Sequence, residues 1–241
     1  MKKKVLSRSI TALVLIGAVF FVHSQKGREV PTFSPLESTF STLIIDAGHG
    51  GEDGGAVSAS GTVESHINLA VALRLKAFSD LLGTNAILLR DSDISLHDSG
   101  CETLRQKKVS DLRNRVEAIE NTPNAVLMSI HQNTFQNPKY SGAQVFFGTN
   151  PDSLSFAEIT QSTLKSLNPQ NGRIPAQIPS SVYLMNHISC PAILVECGFL
   201  SNPDEDALLQ TPEYQTKLAM AMAGAYITYS QQNLHEVETL K

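Results

Sequence analysis

Residues 43–51 read Leu-Ile-Ile-Asp-Ala-Gly-His-Gly-Gly, and this stretch indicates the fold of the chain. Its first three residues are apolar and predict a short buried strand. The glycines that follow allow the chain to turn and bring the backbone close to whatever lies there. His49 is thereby placed at the C-terminal end of a strand, where open α/β sheets usually have their sites. We therefore expect an α/β fold with His49 in a functional position.

Two later segments carry side chains that suit the same chemistry. Gly61-Thr62-Val63-Glu64 leads into a predicted helix, and Met128-Ser129-Ile130-His131-Gln132-Asn133 contains the end of a predicted apolar strand. Two imidazoles and one carboxylate, each at the edge of a secondary-structure element, suit a zinc ion with an open fourth position. The sequence therefore predicts His49, Glu64 and His131 as metal ligands.

Each ligand assignment has a structural alternative, and for His49 it is that of an ordinary turn residue in a glycine-rich loop. Glu64, at a helix start, would interact favourably with the helix dipole. His131, taken alone, would more often be a hydrogen-bonded core histidine. His66 competes with Glu64, but residues two apart on a helix point about 200° apart, so only one of them can face the metal. The spacing alone leaves that choice open.

Apolar strands alternate with amphipathic helices along the chain. Strands are predicted at 42–46, 86–90, 125–130, 143–147 and 192–196, and helices at 64–82, 110–120, 154–167 and 212–230. Residues 91–108 and 168–181 are polar and are predicted to be irregular. Because the strands are mostly continuous apolar runs, we expect a single α/β domain. Its twisted, mostly parallel sheet should be covered by helices on both faces.

A fourth segment, Leu194-Val195-Glu196-Cys197-Gly198-Phe199-Leu200-Ser201-Asn202, completes a family pattern. From Leu43 to Tyr229, the four segments resemble those of the zinc-dependent N-acetylmuramoyl-L-alanine amidases in their order and in their amino-acid sequence. One departure is Ala47, where the family usually carries proline, and this changes turn stiffness rather than chemistry. The resemblance implies one zinc ion per chain. It also implies hydrolysis of the amide that joins N-acetylmuramic acid to L-alanine in peptidoglycan.

The resemblance also bears on the roles of two carboxylates. It selects Glu64 rather than His66 as the third metal ligand. Glu196 ends the apolar run 192–195, where burying a carboxylate without a function would be costly. We expect Glu196 to be the general base, which takes a proton from the attacking water and returns it to the leaving amine. The alternative is a structural carboxylate in a buried ion pair.

Several other polar residues each have two predicted roles. Asp46 either orients a ligand imidazole or caps the loop. Asn133 either binds substrate or binds loop backbone. Arg90, Arg113 and Arg115 pair either with substrate carboxylates or with aspartates of the fold, and a structural role is the commoner one for a surface arginine.

The N-terminus is expected to direct export. Lys2–Lys4 and Arg8 precede the 13-residue run Ile10–Val22, which is weakly polar to apolar. That run is shorter than the roughly 20 residues of a spanning helix and fits the core of a signal peptide. We predict a signal peptide or membrane anchor at 1–24, a linker at 25–41, a catalytic domain at 42–230 and a C-terminal tail at 231–241. The catalytic domain is then expected outside the cytoplasm, released or held at the membrane.

The composition argues against nucleic-acid binding. Residues 1–24 hold four of the 19 basic residues and none of the 23 acidic ones, so the rest of the chain carries eight more acids than bases. No basic patch with interleaved aromatic residues is visible in the sequence. The cysteines Cys101, Cys190 and Cys197 lack metal-binding or redox spacing. Cys190 and Cys197 are expected to be small buried residues.

Within the family, the chain most resembles the small spore-cortex amidases of germination. The shared features are a short leader, the absence of a wall-binding module and the segments 110–116, 140–144 and 182–185. This resemblance implies removal of stem peptides in the forespore or cortex space for muramic-δ-lactam formation, with a lipoprotein partner in some relatives. A vegetative cell-separation amidase, a zinc peptidase acting on stem peptides and a silent muropeptide-binding regulator are alternatives. The intact Glu196 argues against the last.

Overall fold

The computed structural model of the protein describes residues 41–239, with side chains from 41 to 233. The strands in this range are β1 (Thr42–Ala47), β2 (Ala86–Leu88), β3 (Ala125–Asn133), β4 (Gln144–Phe147), β5 (Ala176–Gln177) and β6 (Ala192–Phe199). The helices are α1 (Glu64–Leu81), α2 (Leu104–Glu120), α3 (Ser153–Lys165), α4 (Tyr183–Asn186), α5 (Pro203–Leu209) and α6 (Pro212–Thr239). The predicted leader at 1–24 and nearly all of the predicted linker lie outside the described residues.

The six strands form one sheet in the order β2-β1-β3-β6-β4-β5. Every neighbouring pair is parallel except β4 and β6, which are antiparallel. The carboxyl ends of β1, β3 and β6 therefore meet at the same edge. The segments that carry His49, His131 and Glu196 are brought together at this edge.

Helices cover both faces of the sheet. On one face, strand residues such as Ile45 and Val195 pack with apolar side chains of α1, α3 and α6. On the other face, Ile44, Leu127 and Leu194 pack with side chains of α2 and α4. Successive strand residues point to opposite faces, so a continuous apolar strand supplies both clusters. The predicted α/β class with a mostly parallel, doubly covered sheet is confirmed.

The sequence predicts that α1 buries an apolar stripe of Ile67, Val71, Leu75, Phe78 and Leu82. Ile67, Val71 and Leu75 are buried against the sheet, and Phe78 is partly buried. Leu82 does not continue the stripe, because it lies beyond the helix end and is 40% exposed. Gly83 follows with a φ of 71°, a conformation that glycine adopts without steric cost and that ends helices.

Several predicted boundaries are wrong. Helix α2 begins at Leu104 rather than at residue 110, because Thr103 and Gln106 form a capping box at its start. Strand β3 continues beyond residue 130 to Asn133, since β6 pairs with it as far as Phe199. The short elements β5, α4 and α5 were not predicted, and α6 continues past Ser230.

No helix within residues 41–239 is long and apolar enough to span a membrane.

Candidate metal centre and active site

The loop after β1 brings the backbone against the ring of His131. A Cβ added at Gly48 would lie only 2.2 Å from Nε2 of His131, so no larger residue fits there. His49, the next residue, has a φ of 61°. That left-handed conformation costs about 1–3 kcal/mol for a residue other than glycine, and such strain clusters at functional sites. The loop is therefore built to present the His49 imidazole beside His131.

Two buried arginines hold this loop in place. Arg90 donates to the carbonyl oxygens of Ala47 (2.8 Å) and Gly48 (3.1 Å). Arg115 donates from Nη2 to the carbonyl oxygen of His49 at 2.9 Å. Both side chains are engaged with the fold, which favours the structural role over pairing with substrate.

Glu64 is the first residue of α1, and its side chain is 5% exposed. Its Oε2 accepts from the backbone N–H of Ala56 at 2.8 Å. Its Oε1 accepts from the backbone N–H of Gln132 at 3.1 Å and from Nδ2 of Asn68 at 3.3 Å. These donors fix the carboxylate in one orientation.

The two histidines and Glu64 converge on one point. Oε1 of Glu64 lies 3.0 Å from Nδ1 of His131, and Oε2 lies 3.5 Å from Nε2 of His49. One candidate ligand atom from each residue lies within 4.8 Å of the other two. The two rings meet edge to face, with centroids 5.0 Å apart. Two nitrogens and one carboxylate oxygen at this spacing fit the donor set of a catalytic zinc site.

The electrostatics of the cluster keep Glu64 ionised. Burial alone would raise the pKa of Glu64, but the hydrogen bond and charge of His131, with the charge of His49, hold it at about 2. Burial alone would lower the pKa of His131, but Glu64 and Glu196 raise it above the usual histidine value. The site thus concentrates negative charge where a cation would bind.

His49 has a further partner in Asp53. Nδ1 of His49 lies 3.0 Å from Oδ2 of Asp53, and Lys108 lies 3.2 Å from the same oxygen. The hydrogen bond from His49 holds the pKa of Asp53 well below its usual range, against the effect of burial. A carboxylate on the second ring nitrogen fixes the orientation of an imidazole that binds a metal.

Glu196 lies on β6 directly opposite His131 of β3. Its Oε2 is buried and has no hydrogen-bond partner among the described residues. Burial raises the pKa of Glu196 to about 7, with a further increase from Glu64 and an opposing effect from His131. A buried, unpartnered carboxylate beside a candidate metal cluster is suited to transfer protons near neutral pH. Cys197, the next residue, is buried as predicted, and it lies in the core on the other face of the sheet.

A cleft of about 310 Å³ opens above these residues. Its lining includes charged side chains, among them Asp53, Lys108 and Asp111. It also includes largely apolar side chains from Val182 to Met185 and from Leu194. The cleft therefore fits a ligand with both polar and apolar parts.

Three further residues singled out in the sequence, His66, Asp46 and Asn133, are not part of the ligand cluster. His66 is not part of the cluster, because its side chain is 61% exposed and lies 3.3 Å from Asp93. Asp46 does not orient a ligand imidazole, since its carboxylate is bound by Arg115 and by the hydroxyl of Ser129. The Asn133 side chain has no hydrogen bond to a described residue, whereas its carbonyl accepts from Leu200.

Three residues of the site were missed in the sequence. Asp53 lies in a glycine-rich loop, where no spacing rule connects it to His49. Asn68 could have been found, because it lies four residues after Glu64 and so on the same face of α1. Gln132 positions Asn68 through a 3.1 Å hydrogen bond from Nε2 to Oδ1. Oε1 of Glu64 accepts both from Nδ2 of Asn68 and from the backbone N–H of Gln132.

Comparisons with known proteins agree with this geometry. The family model described as N-acetylmuramoyl-L-alanine amidase matches residues 43–227. The germination-specific N-acetylmuramoyl-L-alanine amidase of Bacillus subtilis (strain 168) is 33% identical over 229 residues, covering 95% of this chain and 95% of the relative. The CwlD amidase of Clostridioides difficile, solved in complex with the GerS lipoprotein, is 38% identical with a TM-score of 0.75, covering 78% of this chain and 98% of that one. The catalytic domain of CwlV, an N-acetylmuramoyl-L-alanine amidase of Bacillus (Paenibacillus) polymyxa, is 26% identical with a TM-score of 0.67, covering 79% and 98%.

Proposed function

The chain belongs to the N-acetylmuramoyl-L-alanine amidase family, and from that premise we propose that His49, Glu64 and His131 hold one zinc ion and that Glu196 is the catalytic base. The family activity is hydrolysis of the amide between N-acetylmuramic acid and L-alanine in peptidoglycan. The observation that carries the site proposal is the convergence of three candidate ligand atoms within 4.8 Å, with the unpartnered Glu196 carboxylate on the adjacent strand.

The residues present fit a zinc ion. The donor set is two imidazoles and one carboxylate, which leaves a fourth position open in a tetrahedral site. Gly48 and Gly55 leave room for it, since a Cβ at Gly55 would lie 2.5 Å from Oε2 of Glu64. When bound, zinc would supply a Lewis acid that polarises the amide carbonyl and lowers the pKa of water.

The residues of the chain itself transfer the proton and orient the ligand carboxylate. Glu196 accepts a proton from the attacking water, because its buried Oε2 has no hydrogen-bond partner among the described residues. It delivers that proton to the amine of L-alanine as the carbon–nitrogen bond breaks. Asn68, Gln132 and Ala56 keep the Glu64 carboxylate oriented.

Digestion of purified peptidoglycan tests this chemistry. The zinc-loaded protein should release intact stem peptides with a new N-terminal L-alanine, as measured by mass spectrometry. A zinc peptidase would instead release fragments cut within the stem peptide. A silent muropeptide-binding regulator would bind the polymer and release nothing, but the intact Glu196 argues against it.

We propose that the substrate in the cell is the spore cortex. The Bacillus subtilis relative, aligned over 95% of both chains, is named for germination. Deletion of the gene should leave vegetative cell separation intact and should yield spores that lack muramic-δ-lactam and fail to complete germination. Chained vegetative cells with normal cortex lactam would instead support a cell-separation role and refute the cortex proposal, without affecting the amidase chemistry.

Export and a partner complete the proposal. A peptidoglycan substrate requires action outside the cytoplasm, and residues 1–24 are proposed as the signal peptide or membrane anchor, with 25–41 as linker. The Clostridioides difficile amidase was solved with a lipoprotein, so a lipoprotein is the proposed partner class here. Protease protection of the catalytic domain inside intact protoplasts would contradict the proposed export.

A further inference from the structure

Arg173 lies on the side of Glu196 that faces away from the proposed zinc ligands. Gln144 of β4 is directly opposite Glu196 of β6, just as His131 of β3 is on the other side. Nη1 of Arg173 donates to Oε1 of Gln144 at 2.8 Å. The guanidinium is therefore hydrogen-bonded to the residue that lies opposite the proposed base on the neighbouring strand.

The Arg173 side chain is held in a fixed position. Nε donates to the carbonyl oxygen of Ser141 at 2.8 Å. Its guanidinium carbon lies 4.5 Å from the ring centroid of Phe199 and 5.9 Å from that of Tyr140. A half-buried guanidinium with this many contacts has already lost most of the rotamer freedom that ligand binding would otherwise cost.

The charge of Arg173 has no carboxylate partner in the described part of the chain. Glu205 is the acid whose pKa its charge affects. The Glu205 oxygens accept from the backbone N–H groups of Gly142 and Phe199 at 2.8 Å each, and Glu205 forms no ion pair with Arg173 among the described residues. The two N–H groups on Nη2 of Arg173 make no hydrogen bond to a described residue. By contrast, Lys108, which lines the cleft, is paired with Asp53 at 3.2 Å.

A ligand can reach this position. Next to Arg173, the side chains of Phe135, Tyr140 and Ile174 are 54%, 46% and 68% exposed. Exposed apolar groups beside an unpaired cation suit a peptide that carries both aliphatic parts and a negative charge.

We infer that Arg173 binds a free carboxylate of the stem peptide and thereby determines which peptides the amidase accepts. This rests on the proposed amidase function. Arginine presents N–H groups in a planar fork that matches a carboxylate. In Arg173, Ser141 accepts from Nε and Gln144 accepts one N–H of Nη1, so the second N–H of Nη1 and both N–H groups of Nη2 remain for a carboxylate. An acidic peptide that lies across Glu196 would thus be anchored at the side opposite the metal ligands.

A matched pair of substrates tests the inference. The probes are two N-acetylmuramoyl tripeptides that differ only in a free carboxylate or a carboxamide on the second peptide residue. The wild-type protein should cleave the carboxylate form with a kcat/KM about tenfold or more higher. Arg173→Met should remove this preference, because its kcat/KM on the carboxylate form should fall about tenfold or more further than its kcat/KM on the carboxamide form. Arg173→Lys should give an intermediate preference, since it keeps the charge and loses the fork.

Arg113→Met is the control, because Arg113 is an exposed arginine without an ion pair among the described residues, and it should retain the wild-type preference. Equal losses on both substrates in Arg173→Met would show a purely structural role and overturn the inference, as would a wild-type protein without preference.

Equilibrium binding of the same pair of substrates to Glu196→Gln distinguishes the role of Arg173 from the proposed amidase function. Preferential binding of the carboxylate form, without cleavage by the wild type, would refute the amidase function alone. Equal binding of both forms would refute the role of Arg173.

Discussion

His131 and Glu196 lie directly opposite each other on the adjacent parallel strands β3 and β6. Residues paired in this way point to the same face of a sheet. One proposed ligand and the proposed base are therefore fixed relative to each other by backbone hydrogen bonds, whereas His49 comes from a loop and Glu64 from a helix start. Changing the Glu196 side chain should accordingly leave the metal ligands in place.

Glu196→Gln should lower kcat by about two orders of magnitude or more, because the amide cannot accept the proton of the attacking water. Zinc content, measured by elemental analysis, should stay at the wild-type level. Glu117→Gln, at an exposed glutamate of α2, is the control and should keep full activity. Loss of zinc in Glu196→Gln would identify Glu196 as a ligand instead.

His49→Ala and His131→Ala should each abolish stoichiometric zinc binding, because two protein ligands hold zinc far less tightly than three. His66→Ala provides a matched control from the same region, since the His66 side chain is 61% exposed and outside the cluster. Zinc titration with a competing chelator measures all three. Normal zinc affinity in both cluster variants would refute the ligand assignment.

Asn68→Ala should weaken zinc binding by about 10–100-fold, which is the usual effect of removing a residue that orients a ligand. Asn68 bridges Oε1 of Glu64 and the carbonyl oxygen of Gly48, at 3.3 and 3.1 Å. The control is Asn150→Ala, at the opposite edge of the sheet, where Asn150 donates to the carbonyl oxygen of Ser189. Equal zinc affinities in the two variants would show that Asn68 has no positioning role.

Local sequence signals predicted the parts of the fold that depend on short-range physics. The stripe of Ile67, Val71 and Leu75 predicted the buried face of α1. Residues two apart on a helix point in different directions, so only one of Glu64 and His66 could face the metal. The family pattern then selected Glu64. The start of α2 at Leu104 is not predicted, although Thr103 and Gln106 carry a capping-box signal, because both lie within the polar stretch 91–108, whose composition favours irregular structure as a whole.

The rest depends on contacts between distant parts of the chain. Strand β3 extends to Asn133 only because β6 pairs with it there. Asp46 is bound by Arg115, 69 residues away, and no local pattern could select that partner over an imidazole. Arg173 and Gln144 meet because β4 runs antiparallel to β6 and carries Gln144 to the level of Glu196.

Arg115→Met should lower the free energy of unfolding by about 3–5 kcal/mol, because it leaves the Asp46 carboxylate buried without its cation. It should also weaken zinc binding, since Arg115 holds the carbonyl oxygen of His49 at 2.9 Å. Arg113→Met, at an exposed position on the same helix, is the control. Denaturant unfolding and zinc titration measure the two effects, and indistinguishable values for the two variants would contradict the prediction.

Asp46→Asn should make the free energy of unfolding less dependent on pH in the acidic range. Burial alone would raise the pKa of Asp46, but the charge of Arg115 and the hydrogen bond from Ser129 lower it below its usual value. A carboxylate with a lowered pKa in the folded state stabilises the fold above its unfolded pKa of about 3.9, and this stabilisation is lost as the pH falls through the folded value. The wild type should therefore be more stable than Asp46→Asn at pH 7, and the difference should shrink below about pH 4. Every other carboxylate titrates in both proteins, so the difference in unfolding free energy, measured by denaturant titration over this range, isolates Asp46. A difference that stays constant down to the acid limit of folding would show that the pairing with Arg115 does not lower the pKa of Asp46.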